Sequence, residues 1–261
     1  MKQRSYDMLG NIAVVNFPKL IKQTEKKKFA EKLLKEQKNI KTVLEKTGKI
    51  KGRLRKLTTK YIAGEKTKEV LYHENGCAFR FNIDSTYFSP RLSNERKEIA
   101  SKIKKGENVL VMFSGVAPLP IVIAKNSKAK KIVSVEINKE ANKYAELNVE
   151  LNKVKNKVEI VQGDIIKIAK KFEREKIKFD VIAMPRPQLK ENFLKEAFML
   201  SKKGTKIFYY DFSLISEMNL VIDKIKNGAK KYKKKIKILR TKIAGEIAPY
   251  KARVRIDFVV N

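Results

Sequence analysis

At 261 residues the chain is long enough for one large domain, or for a small domain followed by a mid-sized one. A hydrophobic fraction of 43% can fill a packed core and excludes wholesale disorder. Lys and Arg number 61 against 28 Asp and Glu; the formal charge of +33 favours a polyanionic partner (RNA, DNA or anionic lipid), the alternative being a lysine-rich solvated surface.

The predicted elements begin with a strand over 10–17 (GNIAVVNF), closed by Pro18, and a Lys-rich helix over about 19–37. TVLEKTG, KIKGRLRKL and TTKYIAGE read as short strands and turns. Residues 68–84 alternate as a hairpin does, with Asn75-Gly76 at the turn. YFSPRLSNER then bridges into a helix over about 93–105. From 108 the pattern becomes short apolar runs separated by helices, as expected of strands buried in a parallel sheet. These strands are NVLVMFSG, KIVSVEIN, KVEIVQGD, FDVIAMP and GTKIFYYDF, with helices over about 118–126, 138–153, 189–201 and 216–231. KIKILRTKIA and ARVRIDFVV close the chain as an antiparallel hairpin. The expected fold class is α/β. A Rossmann-like, doubly wound, mostly parallel sheet with an antiparallel edge spans 87–261, behind a small basic α+β, RNA-binding domain over 1–86.

His73 and Cys77 are the only residues of their kinds, which excludes an intrachain disulfide and leaves a Cys/His zinc site without ligands. No nucleophile motif accompanies the histidine. No apolar run approaches the roughly 18 residues that cross a bilayer, and the N-terminus lacks the apolar stretch of a secretory signal. The expectations are a cytoplasmic monomer without metal or membrane, its chemistry carried by a bound cofactor.

The first strand–turn–helix, Val109 to Ala124, is where such sheets bind a nucleotide. Phe113, Ser114, Gly115 and Val116 form the turn, and Gly115 lets backbone N–H groups approach a ligand. One glycine is a poor match to G-x-G-x-x-G. Spacing says more. Glu136, followed by Ile137, ends the second strand about 20 residues on, where a carboxylate accepts hydrogen bonds from ribose hydroxyls. Asp164, followed by Ile165, ends the third, where methyltransferases of this fold hold an adenine amino group. Two acids in phase with the sheet suit a nucleoside without pyrophosphate, S-adenosylmethionine rather than NAD. The alternatives are helix capping for Glu136 and a turn role for Asp164.

RSYDMLGNIAVV, KTVLEKTGKIKGRLRKL, YIAGE, HENGCAFRFNIDSTYFSPRLSNER, MFSGVAP, SVEINKEANKYAELNVELNKV and APYKARVRIDF follow one another along the chain. With them the sequence resembles, over nearly its whole length, the archaeal and eukaryotic tRNA (guanine-N1)-methyltransferases that modify guanosine 37, 3′ to the anticodon. The resemblance implies a class I methyltransferase domain, S-adenosylmethionine as cofactor and tRNA as partner. A sister family transfers the aminocarboxypropyl group of the same cofactor to a modified guanosine. Pro90-Arg91-Leu92 and Gly115-Val116-Ala117-Pro118 lie closer to the methyltransferases. A third reading is a basic RNA-binding protein whose methyltransferase-like domain no longer binds cofactor.

Guanine N1 is a poor nucleophile until its proton leaves, and negative charge then spreads toward O6. The reaction needs a carboxylate base at N1 and a cation or donor at O6. The resemblance implies Glu95 as the base and Arg55 as the O6 partner, with Tyr87, Arg91, Pro185, Arg186 and Pro187 holding the flipped-out nucleotide. Taken as residues alone, Glu95 could be a first-turn helix acid, Arg55 a phosphate contact, Tyr87 and Phe88 core aromatics, and Arg91 the partner of a carboxylate. Two positions depart from the family. Val111 stands where its first strand carries an acid, and Met184-Pro185-Arg186-Pro187 stands in place of Asn-Leu-Pro. Pro185 thus replaces an asparagine, leaving Arg186 to supply a compensating cation.

Overall fold

The computed structural model describes residues 6–18, 20–48, 57–185 and 191–261; Arg55, Arg186 and Pro187 lie outside them. The first sheet contains β1 (Tyr6–Leu9), β2 (Ile12–Val15), β3 (Thr42–Lys46) and β4 (Thr59–Gly64), in that order. β1 and β2 are an antiparallel hairpin, so the strand expected over 10–17 is in fact a turn at Gly10-Asn11 followed by β2. β2 and β3 run parallel, which demands a crossover, and α1 (Gln23–Glu36) supplies it. Alternate residues of a strand face opposite ways. Ala13 and Val15 pack with Ala30 and Leu33 of α1, while Ile12 and Val14 join a second core with Phe79 and Phe81. Covered on both faces, β2 is apolar at every position.

β5 (Glu69–Glu74) and β6 (Cys77–Asn82) form the expected hairpin. Asn75 and Gly76 sit at φ 50° and 72°, the left-handed pair that a type I′ turn requires. The small sheet presses against this hairpin through Gly10. A Cβ there would fall 1.8 Å from the Leu71 carbonyl oxygen, and the Leu71 N–H donates to Asn11 Oδ1 at 2.9 Å.

The second sheet holds β7 (Asn108–Met112), β8 (Lys131–Glu136), β9 (Val158–Gln162), β10 (Phe179–Met184), β11 (Ser201–Leu214), β12 (Ile236–Ala248) and β13 (Lys251–Val260). Their order is β12-β13-β11-β10-β7-β8-β9. β7 to β11 are parallel and β13 is antiparallel to both neighbours, giving the expected antiparallel edge. Val109 and Val111 face the layer of α2 (Ser93–Ser101), α3 (Pro118–Asn126) and α4 (Lys139–Leu151). Leu110 and Met112 face α5 (Ile165–Arg174), α6 (Leu194–Met199) and α7 (Met218–Lys231). α5 adds to the elements expected: Ile165, Ala169 and Phe172 recur at helical spacing and are buried, and Asp164 caps it. Strand order reverses between β7 and β10, which opens a crevice beyond their carboxyl ends.

Two asparagines join the hairpin to this sheet. Asn148 accepts from the Arg80 N–H at 2.7 Å and donates to the Arg80 carbonyl at 3.0 Å. Asn152 accepts from the Ala78 N–H at 2.9 Å and donates to its carbonyl at 2.6 Å. Asn148 on α4 and Asn152 at its C-cap are four apart, share a helix face and match the two-residue repeat of the β6 edge. Their amides stand where a third strand would. Asn148→Leu leaves the half-buried Arg80 backbone N–H and C=O without their protein partner. It should lower the free energy of urea unfolding by on the order of 2 kcal/mol, with faster hydrogen exchange at Arg80.

Candidate active site

The turn after β7 is built from unusual backbone. Phe113, Gly115 and Ala117 all take positive φ, at 58°, 58° and 62°. Only one is glycine, which is why the fingerprint looks poor in sequence. The loop is held by Ser114, whose N–H donates to the Val135 carbonyl at 3.0 Å and whose hydroxyl donates to the Val111 carbonyl at 2.9 Å. Pro118 then opens α3, where its missing N–H costs nothing.

Glu136 ends β8 beside this turn and is 7% exposed. Its Oε2 accepts from the Gly115 N–H and its Oε1 from the Asn138 N–H, each at 2.8 Å. Capping of α4 falls to Asn138, which accepts from the Glu140 N–H. The carboxylate is thus fixed by backbone donors, with acceptor capacity left over.

Glu95 lies in the first turn of α2 and is 6% exposed. The Tyr210 hydroxyl donates to its Oε2 at 2.9 Å, Arg255 Nη1 donates to the same oxygen at 2.6 Å, and Lys242 Nζ donates to Oε1. Burial and the Glu95 charge push the Tyr210 phenol well above its ordinary range, so it remains a donor. Glu98, one turn on, pairs with Lys242, with Arg255 Nη2 at 2.5 Å and with Lys102 at 3.1 Å. Burial pushes the Glu98 carboxyl up. Hydrogen bonds from Lys242, Arg255 and Lys102 outweigh it and hold that carboxyl well below the usual carboxylate range.

One crevice of about 870 Å³, partly continuous with solvent, unites Tyr87, Glu95, Phe113, Ser114, Gly115, Glu136 and Pro185. Phe88 is mainly a core aromatic, stacked on Phe81 with centroids 4.7 Å apart. Arg91 is exposed and its nearest carboxylate, Asp7, is 3.8 Å away. Val116 and Ile165 are buried, so only their backbones can meet a ligand. Ile137 is partly buried, and Asp164 accepts from the Ile166 N–H at 3.0 Å as the cap of α5; neither is among the residues lining the crevice. Val111 is fully buried in the core. The expectation missed Tyr210, Asn138, Lys242 and Arg255. Their one sequence signal was that APYKARVRIDF, which holds Arg255, had no role of its own. Among the described residues no group of His, Cys, Asp or Glu is placed to hold a metal, and no helix is long and apolar enough to cross a membrane.

A doubly wound sheet of this order, with an acid at the end of the strand beside the switch point, defines a class I Rossmann-like, S-adenosylmethionine-dependent transferase. The chain matches the TRM5/TYW2 methyltransferase domain over residues 70–239 and the TYW2 N-terminal domain over residues 2–67. It belongs to the TRM5/TYW2 family of tRNA-modifying enzymes. It is 34% identical to tRNA (guanine(37)-N(1))-methyltransferase Trm5b of Pyrococcus abyssi, over 98% of this chain and 75% of that one. The crystal structure of that protein superposes with a TM-score of 0.85. It is also 34% identical to the Nanoarchaeum equitans tRNA (guanine(37)-N(1))/4-demethylwyosine(37)-methyltransferase Taw22, over 97% of this chain and 98% of that one. A structure of aTrm5 with tRNALeu, 26% identical and covering 98% of this chain and 72% of that one, gives a TM-score of 0.84.

The Glu98 pairings make acid stability testable. A carboxyl held low in the folded state stabilises it above the ordinary carboxylate pKa of about 4.3, and that contribution is lost as pH falls below it. Glu98→Gln should be less stable than wild type near neutrality, with the gap in urea midpoints narrowing as pH drops below about 4.3.

Proposed function

We propose that the protein transfers the methyl group of S-adenosylmethionine to N1 of guanosine 37 in tRNA. The observation that carries this reading is Glu95, a buried carboxylate lining the same crevice as Glu136. Three donors reach Glu95. A carboxylate offers about four acceptor positions, so one remains, on Oε1, for the N1–H of guanine. Glu95 would accept that proton while the ring nitrogen takes the methyl and leaves the sulfur its electron pair.

S-adenosylmethionine, when bound, supplies a methyl group on a sulfonium, an electrophile that needs no metal. The donor set fits it. The acceptor capacity left on Glu136 would take the ribose hydroxyls, Pro118 and Leu119 give apolar walls for the nucleoside, and we assign Asp164 to the adenine edge. Tyr87 would pack on the flipped-out base. Arg55, outside the described residues, is our assignment for O6, and Arg186 for a nearby phosphate or base. Both 34% identical relatives are named as methyltransferases of position 37, which supports methyl transfer. The match of residues 2–67 to the TYW2 N-terminal domain favours a second reading, aminocarboxypropyl transfer from the same cofactor.

Mass spectrometry of nucleosides from tRNA incubated with protein and S-adenosylmethionine separates the two. We expect 1-methylguanosine at position 37; an aminocarboxypropyl nucleoside, or no modification, would overturn the assignment. Glu95→Gln should slow single-turnover transfer at least about 100-fold while tRNA affinity stays within about twofold. Glu136→Ala should weaken S-adenosylmethionine binding by about 10- to 100-fold in calorimetric titration, since it removes charge-assisted hydrogen bonds.

A further inference from the structure

Charged and hydrogen-bonding groups from four elements surround Glu95. Glu98 lies on its own helix α2, Tyr210 on β11, Lys242 on β12 and Arg255 on β13. Arg255 is also tied to Asp257 at 2.7 Å, and Lys102 pairs with both Glu98 and Asp257. The two cations on Glu95 differ in kind. Arg255 has 0% side-chain exposure and three carboxylate partners, so it is a fixed part of the core. Lys242 stands on the outermost strand with 27% of its side chain exposed, and it divides its ammonium between Glu95 Oε1 and Glu98 Oε2. An ammonium on a flexible four-carbon stem can change partners where a buried guanidinium cannot.

We propose that Lys242 is a positioning residue for the proton transfer: from β12 it holds Glu95 Oε1 at the crevice, and passes to Glu98 when the target base arrives. This rests on the reading of Glu95 as the base. In the free protein Lys242 grips the one oxygen that keeps an open acceptor position. Its second carboxylate, Glu98, is already within hydrogen-bond reach, so releasing Glu95 leaves no bare ammonium. Once Glu95 accepts the N1 proton it no longer needs a cation, and Glu98 still does. Arg255 and Tyr210 stay on Oε2 throughout and prevent the carboxylate from rotating.

The test is the pH profile of single-turnover methyl transfer to tRNA for wild type, Lys242→Met, Lys242→Arg and Glu95→Gln, with melting temperature and tRNA affinity measured beside it. Removing a positive charge beside a carboxylate base favours its protonated form. Lys242→Met should therefore lower the rate by about 10-fold or more on the acid side. The acid limb should move to higher pH, with less loss at alkaline pH and tRNA affinity unchanged. Lys242→Arg should restore most of the rate and the position of the limb. A Lys242→Met profile that keeps its shape, whether unchanged or uniformly lowered, overturns the proposal, as does failure of the Arg variant to rescue. If Lys242→Met melts early, the comparison moves to Lys242→Gln under the same criteria. The two readings fail separately. Glu95→Gln with near-wild-type transfer sinks the assignment of the base and Lys242 with it. An inactive Glu95→Gln beside an unmoved Lys242→Met limb sinks Lys242 alone.

Discussion

The crevice depends on how the β5–β6 hairpin is anchored, because the segment that follows β6 brings Tyr87 and Glu95 to the sheet. That segment runs on without regular structure until residue 90. An irregular stretch of this length would be mobile unless its ends were fixed and its polar groups paired. Asn148 and Asn152 fix the strand before it. Asn138 donates to the Ser85 carbonyl at 2.9 Å and the Thr86 hydroxyl donates to the Asn82 carbonyl at 2.7 Å. The far end is closed by Arg96, which meets Glu74 in a bidentate, buried pair and also donates to the Ser89 carbonyl at 3.0 Å.

Two costs are concentrated at this place. Left-handed backbone at Phe113 and Ala117 is unfavourable by roughly 1–2 kcal/mol per residue, and it persists because Ser114 and Glu136 hold the turn from both sides. Glu95, Arg255 and Asp257 are out of water, and such groups are tolerable only while each keeps its partners. Removing one member leaves the others buried and uncompensated. The carboxylate that we assign to proton transfer is therefore also a structural member of the contact between α2 and the β11–β13 edge. A variant there needs its stability measured before its activity is read.

The large sheet was legible because buried parallel strands are continuous apolar runs, and Glu136 because its distance from Gly115 is a period of the fold. Glu95 was legible only through resemblance, since a lone glutamate in a helix's first turn has a bland explanation. Its partners were hidden by separation. Tyr210, Lys242 and Arg255 lie 115, 147 and 160 residues further along. Each reads as one more strand residue in a chain with 61 basic side chains. The positive φ of Phe113 and Ala117 left no trace, as neither residue type favours it. Asn148 and Asn152 did leave one. Asparagine is a poor helix former, and a pair four apart amid the apolar positions of a helix is a cost that asks for a compensating role. α5 shows its helical spacing plainly but lies between two strong strands.

Charge gives the last constraint. In a chain with 28 acidic residues, seven (Glu45, Glu74, Glu95, Glu136, Glu196, Asp211 and Asp257) are buried, although such residues are almost never inside unless paired. Arg96, Arg253 and Arg255 are the buried basic residues among those described. Several of these acids are paired with lysines that reach the surface: Glu45 with Lys26, Asp211 with Lys224 and Asp257 with Lys102. A lysine-rich habit alone would add cations outside without moving acids inward. Here Glu95 and Glu136 line the crevice, while Glu74 and Asp257 hold the buried guanidinium groups of Arg96 and Arg255. A polyanion meeting such a surface is attracted over most of it and meets carboxylates where the crevice opens. An overall field of this kind can bring RNA to the protein but cannot select a nucleotide; on the function proposed above, selection falls to the buried groups at Glu95.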